Sequence, residues 1–295
     1  MGSSSRHPAP ILGTTRLTGI FGDPVEHSLS PTMHNAAYAA LGMDRRYVAF
    51  HVAPKNLVRA LRGICALGIL GVNLTAPHKE AALRGVDRIS AEGGLLDAIN
   101  CVIYRDGKLS GDNTDARGLE RDLRRLQVDL KGRTVMIVGA GGGAASAALA
   151  ARRIGASRVI VANRTLSRAR AFARRCARLW RVGTSFEASG LEALRDPVLL
   201  AEVACLINAT PMGLTTQSFV ALNYAATQRD CFFYDMLYAQ KPTAFLRGAI
   251  QARRRNADGA GMLVEQGELA FRLFNEVTAP PGIMRRALME ALGRK

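Results

Sequence analysis

The stretch Thr134-Val-Met-Ile-Val138, followed by Gly139-Ala-Gly-Gly-Gly143 and an alanine-rich run, decides the fold of this 295-residue chain. The mostly apolar run predicts a buried strand, and Ala144–Ile154, which is followed by Gly155, predicts a helix. A glycine turn between a strand and a helix leaves backbone N–H groups free at the positive end of the helix dipole. This pattern favours a dinucleotide-binding turn over a glycine-rich turn without a ligand.

The end of the next predicted strand, Arg158–Ala162, indicates which dinucleotide binds. NAD-binding folds usually place Asp or Glu at this point, where the carboxylate holds the ribose 2′-hydroxyl. Here the residues are Asn163, Arg164 and Thr165, with Arg168 one turn later. A guanidinium pairs bidentately with phosphate oxygens, so we predict NADP, with Arg164 and less firmly Arg168 at its 2′-phosphate. The alternative is that both belong to a general excess of arginine.

Strand-like and helix-like runs alternate along the chain, which predicts an α/β protein with parallel sheets. The turn Arg105-Asp106-Gly107 predicts a hairpin, and the polar residues 127–133 separate two units. The predicted strands are Leu17–Phe21, Tyr47–Val52, Gly71–Leu74, Ala98–Ile103, Lys108–Gly111, Thr134–Val138, Arg158–Ala162, Val203–Asn208 and Cys231–Asp235. The predicted helices are Pro31–Leu41, Leu57–Leu67, His78–Gly85, Asp115–Leu126, Ala144–Ile154, Ser167–Leu179, Thr243–Arg254, Met262–Phe274 and Ile283–Leu292.

The composition is that of a globular protein with a strong positive charge. Hydrophobic residues make up 48% and charged residues 22%, which argues against disorder. The net charge of +16 raises the question of nucleic acid. Only six of the 40 basic residues are Lys and only 6% of the chain is aromatic, so we favour a solvated basic surface and no nucleic-acid partner. One segment, residues 139–186, holds ten Arg and no acidic residue.

The five cysteines and the hydropathy pattern indicate the cellular compartment of the protein. Their number is odd and no CxxC pair occurs, which argues against a disulfide framework and a structural zinc site. No apolar run approaches the roughly 20 residues of a membrane span, and no apolar signal region follows Arg6. We therefore predict a cytoplasmic protein with reduced thiols and no membrane partner.

Two serines precede a predicted helix in the N-terminal unit. Ser30 is a natural N-cap and Pro31 a natural first helical residue. A capped helix leaves the hydroxyl of Ser28 unexplained, and two hydroxyls beside a helix N-terminus suit a carboxylate. His27 and His34 have no ligand partner at metal spacing, so we interpret both as structural and predict no metal.

A lysine and an aspartate form the second polar group. Lys79 is one of six lysines in an arginine-rich chain, and lysine, unlike arginine, can lose its proton. Asp115 falls in the first turn of a predicted helix, where the dipole favours the carboxylate. Alone, Lys79 would be read as a solvated lysine. A Lys79–Asp115 pair would handle a proton beside a hydride carrier.

Eight ordered pieces resemble shikimate dehydrogenases from about Leu17 to Leu292. They are Ser28-Leu-Ser-Pro31, Asn73-Leu-Thr-Ala-Pro-His-Lys79, Asn113-Thr-Asp115, Gly139-Ala-Gly-Gly142, Asn163-Arg-Thr165, Asn208-Ala-Thr-Pro-Met-Gly213, Tyr234-Asp235 with Tyr238, and Asp258-Gly-Ala-Gly-Met-Leu263 with Gln266. The resemblance implies reversible reduction of 3-dehydroshikimate to shikimate with NADPH, in the chorismate pathway to aromatic amino acids. It also implies that Lys79 gives the proton and that Asp115 keeps the Lys79 side chain oriented.

The resemblance also implies the binding residues. Those for the substrate are Ser28, Ser30, Thr75, Asn100, Asp115, Tyr238 and Gln266. Those for the cofactor are Gly139, Ala140, Gly141, Gly142, Gly143, Asn163, Arg164, Thr165, Arg168, Thr210, Pro211, Met212, Met236 and Gly259. Thr210, Pro211 and Met212 are expected near the nicotinamide.

The expected architecture has two domains with the site in the cleft between them. We predict a substrate-binding α/β domain over residues 17–114 and a Rossmann-type domain over 115–256. C-terminal helices over 257–295 would return to the first domain. Residues 1–16 are predicted to be a disordered or expression-derived start, of which residues 1–5 are native or an expression remnant.

Three alternatives remain open beside a shikimate dehydrogenase that is a monomer or homodimer. The first is a quinate or broad-specificity dehydrogenase, although Ser28 favours shikimate. The second is a non-catalytic NADP-binding sensor, which the joint presence of Lys79 and Asp115 disfavours. The third is a basic nucleic-acid-binding protein, which would show a steep dependence on salt.

Overall fold

A computed structural model describes residues 10–213 and 218–294. The strands are β1 Arg16–Gly22, β2 Arg45–His51, β3 Gly71–Leu74, β4 Arg88–Ile89, β5 Cys101–Arg105, β6 Lys108–Asp112, β7 Thr134–Val138, β8 Arg158–Ala162, β9 Ser185–Ser189, β10 Val203–Asn208, β11 Phe232–Asp235 and β12 Arg255–Asp258. The helices are α1 Ser30–Ala40, α2 Leu57–Leu67, α3 His78–Ala81, α4 Ala91–Leu96, α5 Asp115–Arg125, α6 Gly142–Ile154, α7 Leu166–Leu179, α8 Pro197–Leu200, α9 Ala244–Gln251, α10 Ala260–Asn275 and α11 Ile283–Ala291.

The second half of the chain builds a parallel sheet, which we call the second lobe together with its helices. Its strand order is β12-β11-β10-β7-β8-β9, and every neighbouring pair is parallel. This is the order of dinucleotide-binding folds, in which the direction of winding reverses between β7 and β10. The predicted Rossmann-type domain is thereby confirmed, with its glycine turn at that reversal point.

The first half of the chain builds a mixed sheet, which we call the first lobe together with its helices. Its order is β2-β1-β3-β5-β6-β4. Strand β1 runs parallel to β2 and β3, whereas β5 runs antiparallel to β3 and β6. The hairpin turns at Asp106 and Gly107, both with positive φ (52° and 74°), as a two-residue turn requires. The expectation of purely parallel sheets therefore holds only for the second lobe.

The two C-terminal helices pack back on the first lobe, as predicted. One apolar core contains Met33 and Tyr38 of α1 together with Phe271 of α10 and Leu288 of α11. Because these side chains are almost completely buried, the last helices are an integral part of the first lobe.

The remaining domain expectations need small adjustments at their edges. The boundary expected after residue 256 falls inside β12, so the second sheet ends two residues later. Residues 1–9 and Lys295 lie outside the described residues. Within the expected start over residues 1–16, Thr14 and Thr15 donate hydrogen bonds of 2.6 Å to Asp44 and so contact the first lobe. Within residues 10–213 and 218–294, no helix has the length and apolarity to cross a bilayer.

Candidate active site

An ion pair between α3 and α5 forms the centre of the site. The Nζ of Lys79 lies 2.6 Å from Oδ2 of Asp115. Lys79 follows β3 through a tight turn, and Asp115 is the first residue of α5, as predicted. The side chains are 32% and 10% exposed, respectively. The structure thus brings together the two residues that the sequence selected for proton handling, with the ammonium still open to a ligand.

Asn100 fixes the second oxygen of this aspartate. Its Nδ2 donates to Oδ1 of Asp115 at 2.7 Å, and its Oδ1 accepts the backbone N–H of Thr114 at 2.8 Å. The Asn113 side chain in turn accepts the backbone N–H of Asp115 at 3.0 Å. These contacts hold the carboxylate in one orientation, so Lys79 meets a prearranged partner.

A cavity of about 560 Å³ surrounds the ion pair. It is lined by Lys79 and by all seven residues expected to hold the substrate, namely Ser28, Ser30, Thr75, Asn100, Asp115, Tyr238 and Gln266. Three of the expected cofactor residues, Gly143, Met236 and Gly259, complete its wall from the second lobe. A concave site of this size with convergent polar groups is typical of small-molecule binding.

The two serines adopt roles that differ from the prediction. Helix α1 begins at Ser30 itself, and Leu29 is its N-cap residue without a side-chain cap. The hydroxyl of Ser28 accepts the backbone N–H of Ser30 at 3.3 Å. Ser30 as N-cap is therefore wrong, because the carbonyl of Leu29 accepts the first helical hydrogen bond, from Met33. Both hydroxyls still line the cavity at a helix N-terminus, where a carboxylate is favoured.

Tyr238 and Gln266 reach the cavity from opposite sides of the seam between the lobes. Burial raises the pKa of Tyr238, and a hydrogen bond from the backbone N–H of Leu29 opposes this shift. Gln266, on α10, accepts the hydroxyl of Thr114 at 3.4 Å through Oε1. Tyr238 therefore places a protonated phenol beside the loop that carries both serines.

Two polar cavity residues were missed by sequence reasoning. Asn73 lines the cavity, and its Oδ1 accepts the hydroxyl of buried Tyr47 at 2.8 Å. His27, interpreted as structural, is exposed and also lines the cavity. Asn73 had a signal, since it is a polar residue within the buried strand β3, whereas His27 had none.

His34 is structural, as predicted. It is completely buried and stacks on Tyr47 with ring centroids 4.2 Å apart. Burial lowers the pKa of His34 to about 3, so the ring is neutral at physiological pH. Neither ring nitrogen has a hydrogen-bond partner within the described part of the chain.

The glycine turn after β7 has the form that a pyrophosphate needs. Gly139 has φ of +117°, which favours glycine, and a Cβ there would lie 3.0 Å from Thr210. At Gly141 and Gly142 an added Cβ would meet nothing within 4 Å. Helix α6 begins at Gly142 without a side-chain cap, so its first N–H groups face open space. The residues Gly139 to Gly143 therefore fit a dinucleotide phosphate.

The segment after β10 lies beside this turn and rests on a buried carboxylate. Thr210 donates its hydroxyl to Oδ1 of Asn208 at 2.7 Å, and Nδ2 of Asn208 donates to Asp235 at 2.9 Å. Asp235 also accepts the hydroxyl of Thr243 at 2.5 Å. This chain of hydrogen bonds fixes the segment that contains Thr210, Pro211 and Met212, although these three do not line the cavity.

The expected 2′-phosphate site lies at the end of β8, away from the cavity. Asn163 closes the turn there by donating to the carbonyl of Thr165 at 3.0 Å. The guanidinium groups of Arg164 and Arg168 are exposed and form no hydrogen bond or ion pair with residues 10–213 or 218–294. Two uncompensated cations beside the second strand of a Rossmann sheet fit a phosphorylated ribose.

These features together define a class of protein. A Rossmann sheet with an open glycine turn borders a cavity that holds a Lys–Asp pair, and this combination is that of a nicotinamide-dependent dehydrogenase.

Comparisons with known proteins identify the family within that class. Residues 20–102 match the shikimate dehydrogenase substrate binding domain, residues 122–235 match shikimate / quinate 5-dehydrogenase, and residues 259–289 match the shikimate 5′-dehydrogenase C-terminal domain. The NADP(+) shikimate dehydrogenase of Geobacter sp. (strain M21) is 42% identical over 283 residues, covering 96% of this chain and 97% of that protein.

Solved structures agree with this similarity. A shikimate dehydrogenase crystallised with NADP+ has a TM-score of 0.87 and 33% identity, covering 96% of this chain and 98% of that one. The shikimate 5-dehydrogenase of Thermus thermophilus, in complex with NADP(H) and shikimate, has a TM-score of 0.83 and 35% identity, covering 94% and 99%. The chain belongs to the shikimate dehydrogenase family.

Proposed function

We propose that this protein is an NADP-dependent shikimate dehydrogenase, which reversibly reduces 3-dehydroshikimate to shikimate. The observation that carries the proposal is the 2.6 Å ion pair between Lys79 and Asp115. This pair lies in a cavity that both lobes line, with hydroxyl and amide groups on one side and Gly143 and Gly259 on the other.

The roles of the catalytic pair follow from their environment. Bound NADPH supplies the hydride. Lys79 gives a proton to the oxygen that becomes the alkoxide, a contribution of about 10²–10⁴-fold for general acids. Asp115, held by Asn100 at 2.7 Å, keeps the ammonium in place and accepts a substrate hydroxyl. In the reverse direction Lys79 takes the proton back.

The other cavity residues bind and orient the substrate. Ser28 and Ser30 hold the carboxylate at the start of α1, while Thr75, Asn100, Tyr238 and Gln266 bind ring hydroxyls. The turn Gly139–Gly143 holds the pyrophosphate of the cofactor, and the segment Asn163–Arg168 holds its ribose 2′-phosphate. Thr210, Pro211, Met212, Met236 and Gly259 form the nicotinamide side of the site.

The organisation and setting of the protein are part of the proposal. Residues 17–114 with the C-terminal helices form the substrate domain, and residues 115–258 form the NADP domain. We assign the protein to the cytoplasm, because all five cysteines are free thiols and four of them are buried. Its partners are its two small-molecule ligands, not nucleic acid or membrane, and it acts as a monomer or homodimer.

The test is steady-state oxidation of shikimate and of quinate, each with NADP+ and with NAD+, followed by the absorbance of the reduced nicotinamide. We expect the highest kcat/KM with shikimate and NADP+. Comparable values for quinate would make it a broad-specificity enzyme, an alternative suggested by the matched shikimate / quinate profile. NADP+ binding without turnover of either acid would leave a sensor and refute the proposal.

A further inference from the structure

The end of helix α11 is held in a fixed conformation by its cap. Gly293 adopts a left-handed φ of +67°. Its N–H donates to the carbonyl of Glu290 at 3.0 Å, and the N–H of Arg294 donates to the carbonyl of Met289 at 2.8 Å. This is the pair of hydrogen bonds of a Schellman motif. The backbone of Arg294 is therefore tied to the helix and directs its side chain.

The guanidinium of Arg294 contacts two segments of the second lobe. Its Nη2 donates to Oδ2 of Asp258 at 2.5 Å and to the carbonyl oxygen of Ala239. The other oxygen of Asp258 accepts the backbone N–H of Ala260 at 3.2 Å, so this carboxylate also contacts the first residue of α10. The Asp258 side chain is only 14% exposed, which makes the loss of its cationic partner costly.

Both segments form the wall of the active-site cavity. Ala239 follows Tyr238, and Asp258 precedes Gly259, and both neighbours line the cavity. The two segments are joined by the N–H of Gly259, which donates to the carbonyl of Leu237 at 2.9 Å. Helix α11, by contrast, packs on α1, which begins with Ser30. Arg294 thus spans the seam between the two ligand-binding halves.

We propose that Arg294 is a positioning residue, an interlobe latch that holds the Tyr238 and Gly259 segments at a fixed distance from the substrate-binding residues of the first lobe. The reaction joins a substrate bound mainly by one lobe to a cofactor bound mainly by the other. A misplacement of about 1 Å between reacting groups can cost about 10²-fold in rate. The latch therefore acts on the rate of the ternary complex, and its kinetic consequence rests on the proposed function.

The kinetic test compares Arg294→Ala with Arg286→Ala. Arg286 lies on the same helix, is exposed, and makes no ion pair with the described residues. We expect Arg294→Ala to lower kcat about tenfold or more, while the dissociation constant of NADPH without substrate changes less than about twofold. Arg286→Ala should match the wild type in both. Equal kcat for the two variants, or a loss of NADPH affinity as large as the loss of kcat, would overturn the latch.

Two further variants separate positioning from folding. Arg294→Lys keeps a charge that reaches Asp258 but lacks the fork that serves two acceptors, so its kcat should lie between those of wild type and Arg294→Ala. Asp258→Asn keeps the size of the side chain and an oxygen that can accept the N–H of Ala260, and it removes only the charge. Combined with Arg294→Ala it should lose much less than the product of the two single effects, because the two side chains act as one unit. Full multiplicativity would contradict the latch.

A measurement on the ligand-free protein makes the inference independent of turnover. Hydrogen exchange at the amides of residues 237–241 and 259–260 should be faster in Arg294→Ala than in Arg286→Ala, because these segments lose their tie to α11. Unchanged exchange would refute the latch even if shikimate is turned over. If the wild type fails to oxidise shikimate, the proposed function fails while the exchange comparison still decides whether the latch exists.

Discussion

Lys79 can be replaced so that charge is kept and proton transfer is lost. We expect Lys79→Arg to lower kcat by about 10²-fold or more, nearly as far as Lys79→Ala, because a guanidinium does not give up its proton near neutral pH. The measurement is steady-state kinetics with shikimate and NADP+. Lys55→Arg, on the exposed surface, is the matched control and should behave as wild type. A near-normal kcat for Lys79→Arg would refute proton transfer by Lys79 and would leave it only an electrostatic role in binding.

Asp235 gives the protein a pH-dependent stability. Burial raises the pKa of Asp235 from 3.8 to about 6. Between these values the folded chain binds a proton that the unfolded chain does not, so this group makes stability fall as pH rises from about 4 to 6, with no further change above. Each pKa unit corresponds to about 1.4 kcal/mol. Asp235→Asn should flatten this part of the profile in urea unfolding.

The control for this prediction is Asp106→Asn in the exposed hairpin turn. Its left-handed φ of 52° suits asparagine as well as aspartate. The slope of unfolding free energy against pH should therefore remain that of the wild type. If Asp235→Asn retains the wild-type slope as well, the titrating group lies elsewhere.

Single residues could be predicted where one local property decides their role. Lys79 and Asp115 stood out because of residue type and position at a helix start, and the structure places their side chains 2.6 Å apart. Ser30 was placed wrongly as the N-cap, because the backbone turns at Leu29 and sequence alone does not set that point. The raised pKa of Asp235 could not be recognised, because it comes from burial among distant elements, against the opposing effect of the hydrogen bonds from Asn208 and Thr243.

At the scale of elements, we expect the end of β8 to set the preference for NADP over NAD. Arg164→Ala should weaken NADP+ binding about tenfold or more, because a hydrogen bond to a charged group contributes about 1.5–3 kcal/mol. NAD+, which lacks the 2′-phosphate, should lose little. Arg170→Ala removes the same charge from the exposed face of α7 and serves as the control in fluorescence titrations. Equal losses for both nucleotides would refute a 2′-phosphate contact.

Strands and helices could be predicted where they are buried, because a buried element has a recognisable run of apolar residues. The central strands of the second sheet, such as β7 and β10, are completely or nearly buried and were found. The outer strands β9 (Ser185–Ser189) and β12 (Arg255–Asp258) were missed, because a sheet edge tolerates polar side chains. Helix α4, with two glycines in six residues, gave no helical pattern.

At the scale of the whole molecule, the positive charge should accelerate cofactor capture. Helix α7 carries several exposed arginines and follows the expected 2′-phosphate site along the chain. Residues 139–186 contain no acidic residue. Because NADPH is a polyanion, we expect kcat/KM for NADPH to fall as ionic strength rises. The reason is that the Debye screening length shortens, to about 8 Å at physiological salt. The maximal rate should change little.

A charge-matched comparison assigns this effect to one face. Arg174→Gln combined with Arg178→Gln on α7 should reduce the salt slope of kcat/KM. Arg59→Gln combined with Arg62→Gln on exposed positions of α2 removes the same charge from the first lobe and should leave the slope almost unchanged. Equal slopes for the two pairs would mean that only the net charge matters.

The packing of α10 and α11 on the first lobe has a consequence for the newborn chain. The apolar side of α1, with Met33 and Tyr38, leaves the ribosome long before Phe271 and Leu288 arrive to cover it. The second sheet, continuous from Thr134 to Asp258, can be completed in the meantime. The uncovered side of α1 is therefore exposed through most of translation. Only after residue 258 has been made can the nascent protein combine a finished second lobe with an unfinished first lobe, the state that chaperones and proteases meet. Among the described elements, those that complete the substrate-binding half are the last to be made.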